Sequence, residues 1–242
     1  TGINTDAGDI VDERLNITLQ PQVSVVLMDQ YTGHVKAIVG GRGAKTTSLS
    51  LNRATASPKQ PGSCFKVLST YAPGLNECGM TLATTIKDEP YRYASGQPVN
   101  NWDNKYIGSA RVRYAIEHSM NVCAVRTLTE TVGLEKGYKY LENFGFTTLV
   151  NNDPNYPGMS DIAQATALGG ITRGVYNIEM TAAYAAIANS GIYTEPLLYT
   201  EILDHDGNVL IDNSKPITRR VLKESTAFLL TSAMPVSYTH LT

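Results

Sequence analysis

The chain is 242 residues long, 42% hydrophobic and 17% charged, with a formal net charge of −2. That length and those proportions belong to a globular protein of one large domain or two small ones with a sizeable core, and they give no reason to propose nucleic acid as a partner. No apolar run approaches the ~20 residues that span a bilayer.

In chain order, residues 1–20 are polar and irregular and read as a linker or lead-in segment. Because the sequence opens on Thr1, it is read as a piece of something longer. Val23–Met28 and His34–Val39 are short β-branched runs around a glycine-containing turn, which predicts an antiparallel hairpin. Residues 42–62 lack periodicity and read as a loop; residues 73–109 read as mostly irregular, and a segment of that length is functional or flexible. Val112, Ala115, Ile116 and Ser119 share a helical face, and a second short helix carries Val122, Val125 and Leu128. Ser119-Met120-Asn121 falls at their junction. Helices are predicted around Leu134–Phe144, stopped at Gly145, over Asp161–Leu168, and over Asn177–Asn189. Met180, Ala183, Tyr184 and Ile187 form the core stripe of the last of these, which closes at Gly191. Leu198–Leu203 and Val209–Ile211 suggest a small hairpin, and Lys223–Ala233 begins another helix. Cys64, Cys78 and Cys123 have no CxxC or Cys/His spacing, so no structural zinc is expected. The three thiols read as mostly buried, and a disulfide between two of them stays open.

One stretch carries chemistry: Arg53-Ala-Thr-Ala-Ser-Pro-Lys-Gln-Pro-Gly-Ser-Cys-Phe-Lys66. Pro61-Gly62 punctuates the chain and a helical pattern follows through Phe65, Leu68 and Ala72, placing Ser63 near a helix N-terminus and Lys66 one turn on. A serine hydroxyl needs a base to become a nucleophile, and a desolvated lysine can be that base. Taken alone the pattern is weak, since serines cap helices and lysines are ordinarily solvated. In isolation Ser119 likewise reads as a helix-end cap and Asn121 as a turn residue.

Colinear flanks change the weighing. Pro21–Arg42 with its Thr-Gly-x-Val-x-Ala-x-Val-Gly-Gly pattern, Asn52-Arg-Ala54, Gln60-Pro-Gly-Ser-Cys-Phe-Lys66, Ser119-Met-Asn121 with Val122-Cys-Ala-Val-Arg126, Leu168-Gly-Gly170, Ala182–Gly191 and Asp206-Gly207 resemble, in order, the transpeptidase domain of class A penicillin-binding proteins. The resemblance covers roughly residues 21–234. It implies an α+β fold of the penicillin-binding-protein and β-lactamase type, an antiparallel sheet flanked by helices. It also implies that Ser63 accepts the acyl group, Lys66 takes its proton, Ser119 relays that proton to the leaving amine, and Asn121 holds the substrate carbonyl or the lysine. No metal or organic cofactor is implied. The implied partners are peptidoglycan stem peptides ending in D-Ala-D-Ala and β-lactams. The implied location is the outer face of the cytoplasmic membrane, with a membrane anchor and a glycosyltransferase domain elsewhere in the parent protein.

The sequence departs from this family in one respect. A Lys-Thr/Ser-Gly motif is absent; Lys45-Thr46-Thr47 precedes the serine and lacks the glycine. The family places this motif after a helix like Lys223–Met234, so the C-terminal sheet strands are expected to be missing, residues 235–242 to be a non-native or truncated tail, and this chain alone to be inactive. Two other readings are carried forward. One is a non-catalytic β-lactam-sensing or scaffolding module of the same fold. The other makes Cys64 the nucleophile, although no histidine, His118 included, stands in a partner context.

Overall fold

The computed structural model describes residues 21–45 and 47–234. The expected lead-in segment 1–20, Thr46 and the expected tail 235–242 lie outside the described residues.

The predicted hairpin is present as β1 (Val25–Met28) against β2 (Val35–Val39), antiparallel, with Val25 opposite Val39. The Asp29 carboxylate accepts from the N–H groups of Tyr31 and Thr32, which closes the turn locally. Gly33 completes it at φ +77°, where a Cβ would stand 2.4 Å from the Glu195 carbonyl oxygen; both facts exclude any other residue.

The stretch 42–62 is not wholly a loop, because a short helix α1 (Arg53–Ala56) starts where Asn52 Oδ1 accepts from Ala54 N. After the Ser63 segment comes α2 (Ala72–Glu77). The expectation of mostly irregular chain over 73–109 is corrected. Here β3 (Thr85–Asp88) pairs with β6 (Gly108–Arg111), and β4 (Tyr91–Arg92) pairs with β5 (Pro98–Val99), both antiparallel. These strands escape a reading by periodicity because they are two to four residues long, and β3 and β6 are partners far apart in sequence.

The two short helices follow as α3 (Val112–Glu117) and α4 (Asn121–Thr127), and then comes α5 (Leu134–Asn143). Gly145 at φ +89° ends the last of these, as its position predicts. Asp161–Leu168 is shorter than expected: only Gln164–Leu168 is helical, and it is 3-10. Asp161 is instead a tie. Its buried carboxylate accepts from Val150 N, Thr172 N and Thr172 Oγ1 at 2.7–2.8 Å, so it serves backbone across the loop and not its own helix. The long apolar stripe forms α6 (Asn177–Ala188), with Ala183 and Ile187 buried and Met180 and Tyr184 packed partly against the same core.

The C-terminal elements are β7 (Ile192–Thr194), the hairpin β8 (Glu201–Leu203) and β9 (Val209–Asp212), β10 (Thr218–Arg220) paired back to β7, and α7 (Glu224–Ala233). All five strand pairs among the described residues are antiparallel and interleave with helices, which is an α+β fold. The main core gathers Phe65, Leu68 and Tyr71 with side chains from α3 to α7. Burying Phe65 and Leu68 completely contributes about 1.5–3 kcal/mol each. The segment that carries Ser63 is thereby anchored in the centre of the molecule.

Candidate active site

Pro61 leads the chain into a 3-10 turn over Gly62–Cys64, then a π-helical turn over Lys66–Tyr71, then α2. The helix expected from Ser63 onward is therefore wound tight first and wide next. Two residues in and after the wide part depart from the regular ladder. Ser69 Oγ donates to the Phe65 carbonyl at 2.8 Å, Pro73 has no N–H to return to the ladder, and Ala72 N–H bonds the Val67 carbonyl five residues back. Short π turns of this kind recur at functional sites.

The two residues that the sequence puts on one face differ in their exposure. Ser63 is exposed, whereas Lys66 points inward and is 3% exposed. The turn bearing Ser63 is clamped from behind. Lys59 and Val175 exchange two backbone hydrogen bonds at 2.9 Å, and the Gln60 carboxamide both donates to and accepts from the backbone of Ile171. Gly169, at φ +76°, lies so close that a Cβ would meet Gly62 O at 2.4 Å and Gly62 N at 2.5 Å.

Lys66 meets the second segment. Its Nζ donates to Ser119 Oγ at 2.9 Å, to Asn121 Oδ1 at 2.5 Å and to the Ser119 carbonyl at 2.5 Å. The structure thus gathers Lys66, Ser119 and Asn121 into one cluster; among the described residues no hydrogen bond joins Ser63 Oγ to it. Ser119 reaches Lys66 with both oxygens because it sits in the left-handed region at φ +49°, between the end of α3 and the start of α4. A non-glycine residue there costs about 1 kcal/mol or more, a strain that the surrounding contacts must sustain.

Burial lowers the Lys66 pKa from 10.5 to about 8, with the neighbouring Cys123 acting in the other direction. Its three partners suit both protonation states. An ammonium has three N–H groups for three acceptors. A neutral amine keeps two for the fixed acceptors, the Ser119 carbonyl and Asn121 Oδ1, and can take a hydrogen bond on its lone pair from the one partner that is also a donor, the Ser119 hydroxyl. A proton can therefore pass between Lys66 and Ser119 without leaving a buried group unpaired.

The expectation of three mostly buried thiols holds only for Cys123. Cys78 is half-buried and Cys64 is exposed, and all three are unpaired. Cys64 borders a cleft of about 590 Å³ with Arg53, Lys59, Gln60 and Tyr176, and Lys66, Ser119 and Asn121 are not among its lining residues. His118 is spent locally: it stacks on Tyr114 with ring centroids 3.8 Å apart, and its Nδ1 lies 3.1 Å from the Tyr114 carbonyl. Among the described residues no group of three or more His, Cys, Asp or Glu side chains is placed to hold a metal ion, and no helix is long and apolar enough to cross a membrane.

Sequence reasoning missed the residues behind this cluster, namely Asn100 and Asn101, which bond Asn121, and the buried Asp88. The only signal was the polar run Asn100-Asn-Trp-Asp-Asn104 inside a stretch read as irregular.

A model of the penicillin-binding protein transpeptidase domain matches residues 23–239. Penicillin-binding protein 1A of Clostridium acetobutylicum is 38% identical over 226 residues, covering 89% of this chain and 27% of that protein. Penicillin-binding protein 1F of Bacillus subtilis is 36% identical over 208 residues, with 86% and 27% covered. This chain thus spans about a quarter of the length of the curated relatives it matches. Penicillin-binding protein 1A from Haemophilus influenzae superposes with a TM-score of 0.73 at 27% identity, over 91% of this chain and 36% of that one. The PonA1 protein from Mycobacterium tuberculosis in complex with penicillin V shares the fold, with a TM-score of 0.73 at 24% identity over 87% of this chain and 54% of that one. By sequence along nearly its whole length, and by fold, this chain belongs to the penicillin-binding protein transpeptidase domain family.

Proposed function

We propose that residues 21–234 carry most of the acyl-transfer site of a peptidoglycan D,D-transpeptidase, with Ser63 as nucleophile, Lys66 as base, Ser119 as proton relay and Asn121 as holder of the lysine and of the substrate's peptide carbonyl. One observation carries this reading. A buried lysine whose pKa falls to about 8 lies three residues from an exposed serine and is hydrogen-bonded to a second serine that can exchange a proton with it.

In the first half-reaction Ser63 Oγ attacks the carbonyl carbon of the D-Ala-D-Ala bond while its proton goes to neutral Lys66 Nζ. The tetrahedral intermediate collapses with cleavage of the C–N bond. Lys66 returns the proton through Ser119 Oγ to the departing nitrogen, and D-alanine leaves. In the second half-reaction an amine of a neighbouring stem attacks the ester, loses its proton along the same path, and frees Ser63. A β-lactam enters the first step alike, but its ring nitrogen stays tethered after cleavage. Cys64 lines a cleft to which Lys66, Ser119 and Asn121 do not contribute, which disfavours a thiol nucleophile.

The reaction also needs donors for the oxyanion and for the substrate carboxylate. One missing oxyanion donor alone costs on the order of 100-fold or more in rate, so these donors belong to the site as much as the serine and the lysine do. In the complete gene product the site works outside the cytoplasmic membrane, where peptidoglycan lies, next to a membrane anchor and a glycosyltransferase domain.

The test supplies the complete gene product with a stem pentapeptide ending in D-Ala-D-Ala and an acceptor amine. Released D-alanine with cross-linked product, both lost in Ser63→Ala, is the expected result. Stable acylation by penicillin with neither D-alanine release nor cross-linking would replace this reading with a β-lactam-sensing module.

A further inference from the structure

The residue that arranges this site is remote from it in sequence. The first backbone N–H groups of α4 have no cap of their own, because the residue preceding the helix is Met120, which has no side-chain acceptor to offer them. Asn101 serves instead. Its Oδ1 accepts from Asn121 N at 3.0 Å and from Val122 N at 3.2 Å, while its Nδ2 donates to Asp88 Oδ1 at 2.8 Å and to the Lys105 carbonyl at 2.9 Å.

Every hydrogen-bonding position of that carboxamide is used, and its orientation is fixed by chemistry, since the reverse rotamer would turn donors toward N–H groups and an oxygen toward a carboxylate. Asp88 is fully buried, and its second oxygen accepts from Ile107 N at 2.8 Å. It has no cationic partner among the described residues. The neighbouring Asn100 carbonyl accepts from Asn121 Nδ2 at 2.8 Å, which aims Asn121 Oδ1 at Lys66. Asp88 thus fixes Asn101, Asn101 fixes the backbone of Asn121, and the dipeptide Asn100–Asn101 sets both ends of the residue that holds Lys66. The strained Ser119 lies immediately before this anchored turn.

We propose that Asn101, locked by Asp88, is a positioning residue for acyl transfer: it holds Asn121 and Ser119 in the geometry in which Lys66 exchanges protons with Ser119. This rests on the acyl-transfer reading above. Neither Asn101 nor Asp88 accepts a hydrogen bond from Lys66, whose three acceptors belong to Ser119 and Asn121. Their effect is on geometry, and small misplacements of a catalytic group cost up to about 100-fold in rate.

The experiment uses the complete gene product and a fluorescent penicillin, following both the amplitude of labelling and its first-order rate at saturating drug. Wild type must label at Ser63; no label, or label that survives Ser63→Ala, defeats the acyl-transfer reading itself and the positioning role with it. Given that label, Asn101→Ala is expected to keep full amplitude while the acylation rate falls on the order of 10- to 100-fold. Asp88→Asn, which keeps the volume but turns a donor toward Asn101 Nδ2 or Ile107 N, is expected to slow acylation in the same direction, and it decides the matter where Asn101→Ala does not fold. Pairing it as Asp88→Asn with Asn101→Asp restores a donor facing an acceptor and should recover part of the rate. A loss of amplitude with an unchanged rate in the surviving fraction would show that the pair only stabilises the fold, and a wild-type rate in either single variant would equally overturn the proposal.

Discussion

Raising the pH should switch on acylation through Lys66. Only the neutral amine can take the Ser63 proton, and burial places the lysine's pKa near 8. About one-tenth of the molecules then carry a free amine at pH 7 and about nine-tenths at pH 9, so the rate should rise roughly tenfold between them and level off above. A solvated lysine at 10.5 would behave differently, climbing roughly 100-fold over the same interval with no plateau. The assay is the second-order rate constant for labelling by a fluorescent penicillin from pH 6 to 10, on the complete gene product. A flat profile would remove Lys66 as the base, and a rise still steep at pH 10 would show that its burial is not what sets its proton affinity.

The same lysine links stability to pH. Its folded pKa is depressed, so its favourable contribution is complete above 10.5 and is lost as pH falls through about 8. Cys123 has the opposite sign, because burial pushes its thiol from 9 up to about 12, and that contribution is lost as pH rises from 9 toward 12. Comparing wild type with Lys66→Met isolates the lysine: between pH 7 and 10 urea unfolding should favour wild type by up to about 3 kcal/mol more, and a constant difference would refute this. Gly169→Ala should destabilise by at least about 2 kcal/mol and slow acylation. Its Cβ would press on backbone atoms of Gly62 that cannot yield without moving Ser63, at a φ that alanine resists. Unchanged melting and labelling in this variant would show that the turn adapts.

What the sequence made legible follows from what sequence patterns encode. The β1–β2 hairpin, α6 and the junction at Ser119 each announce themselves locally, by alternation, by an apolar stripe or by the ending of a helical face. Ser63, Lys66, Ser119 and Asn121 became readable through a colinear resemblance, and three of the four do meet. The difference between an exposed Ser63 and a buried Lys66 was not legible, because burial is set by the elements that pack over Lys66 and not by the local spacing. Asp88 and Asn101 were hidden for a related reason. Asp88 acts through the Asn101 side chain and Asn101 through the N–H groups of Asn121 and Val122, and hydrogen bonds of this kind leave no periodicity behind. Asp161, a carboxylate serving distant N–H groups, was read as part of a helix for the same reason.

The most direct test of the central claim is the site of covalent attachment. The complete gene product would be incubated with benzylpenicillin, weighed intact and digested for peptide mapping. One penicillin per chain is expected, on the peptide that contains both Ser63 and Cys64, with the adduct absent from Ser63→Ala and retained by Cys64→Ala. An adduct that survives Ser63→Ala and vanishes with Cys64→Ala would contradict the account, and so would no adduct at all.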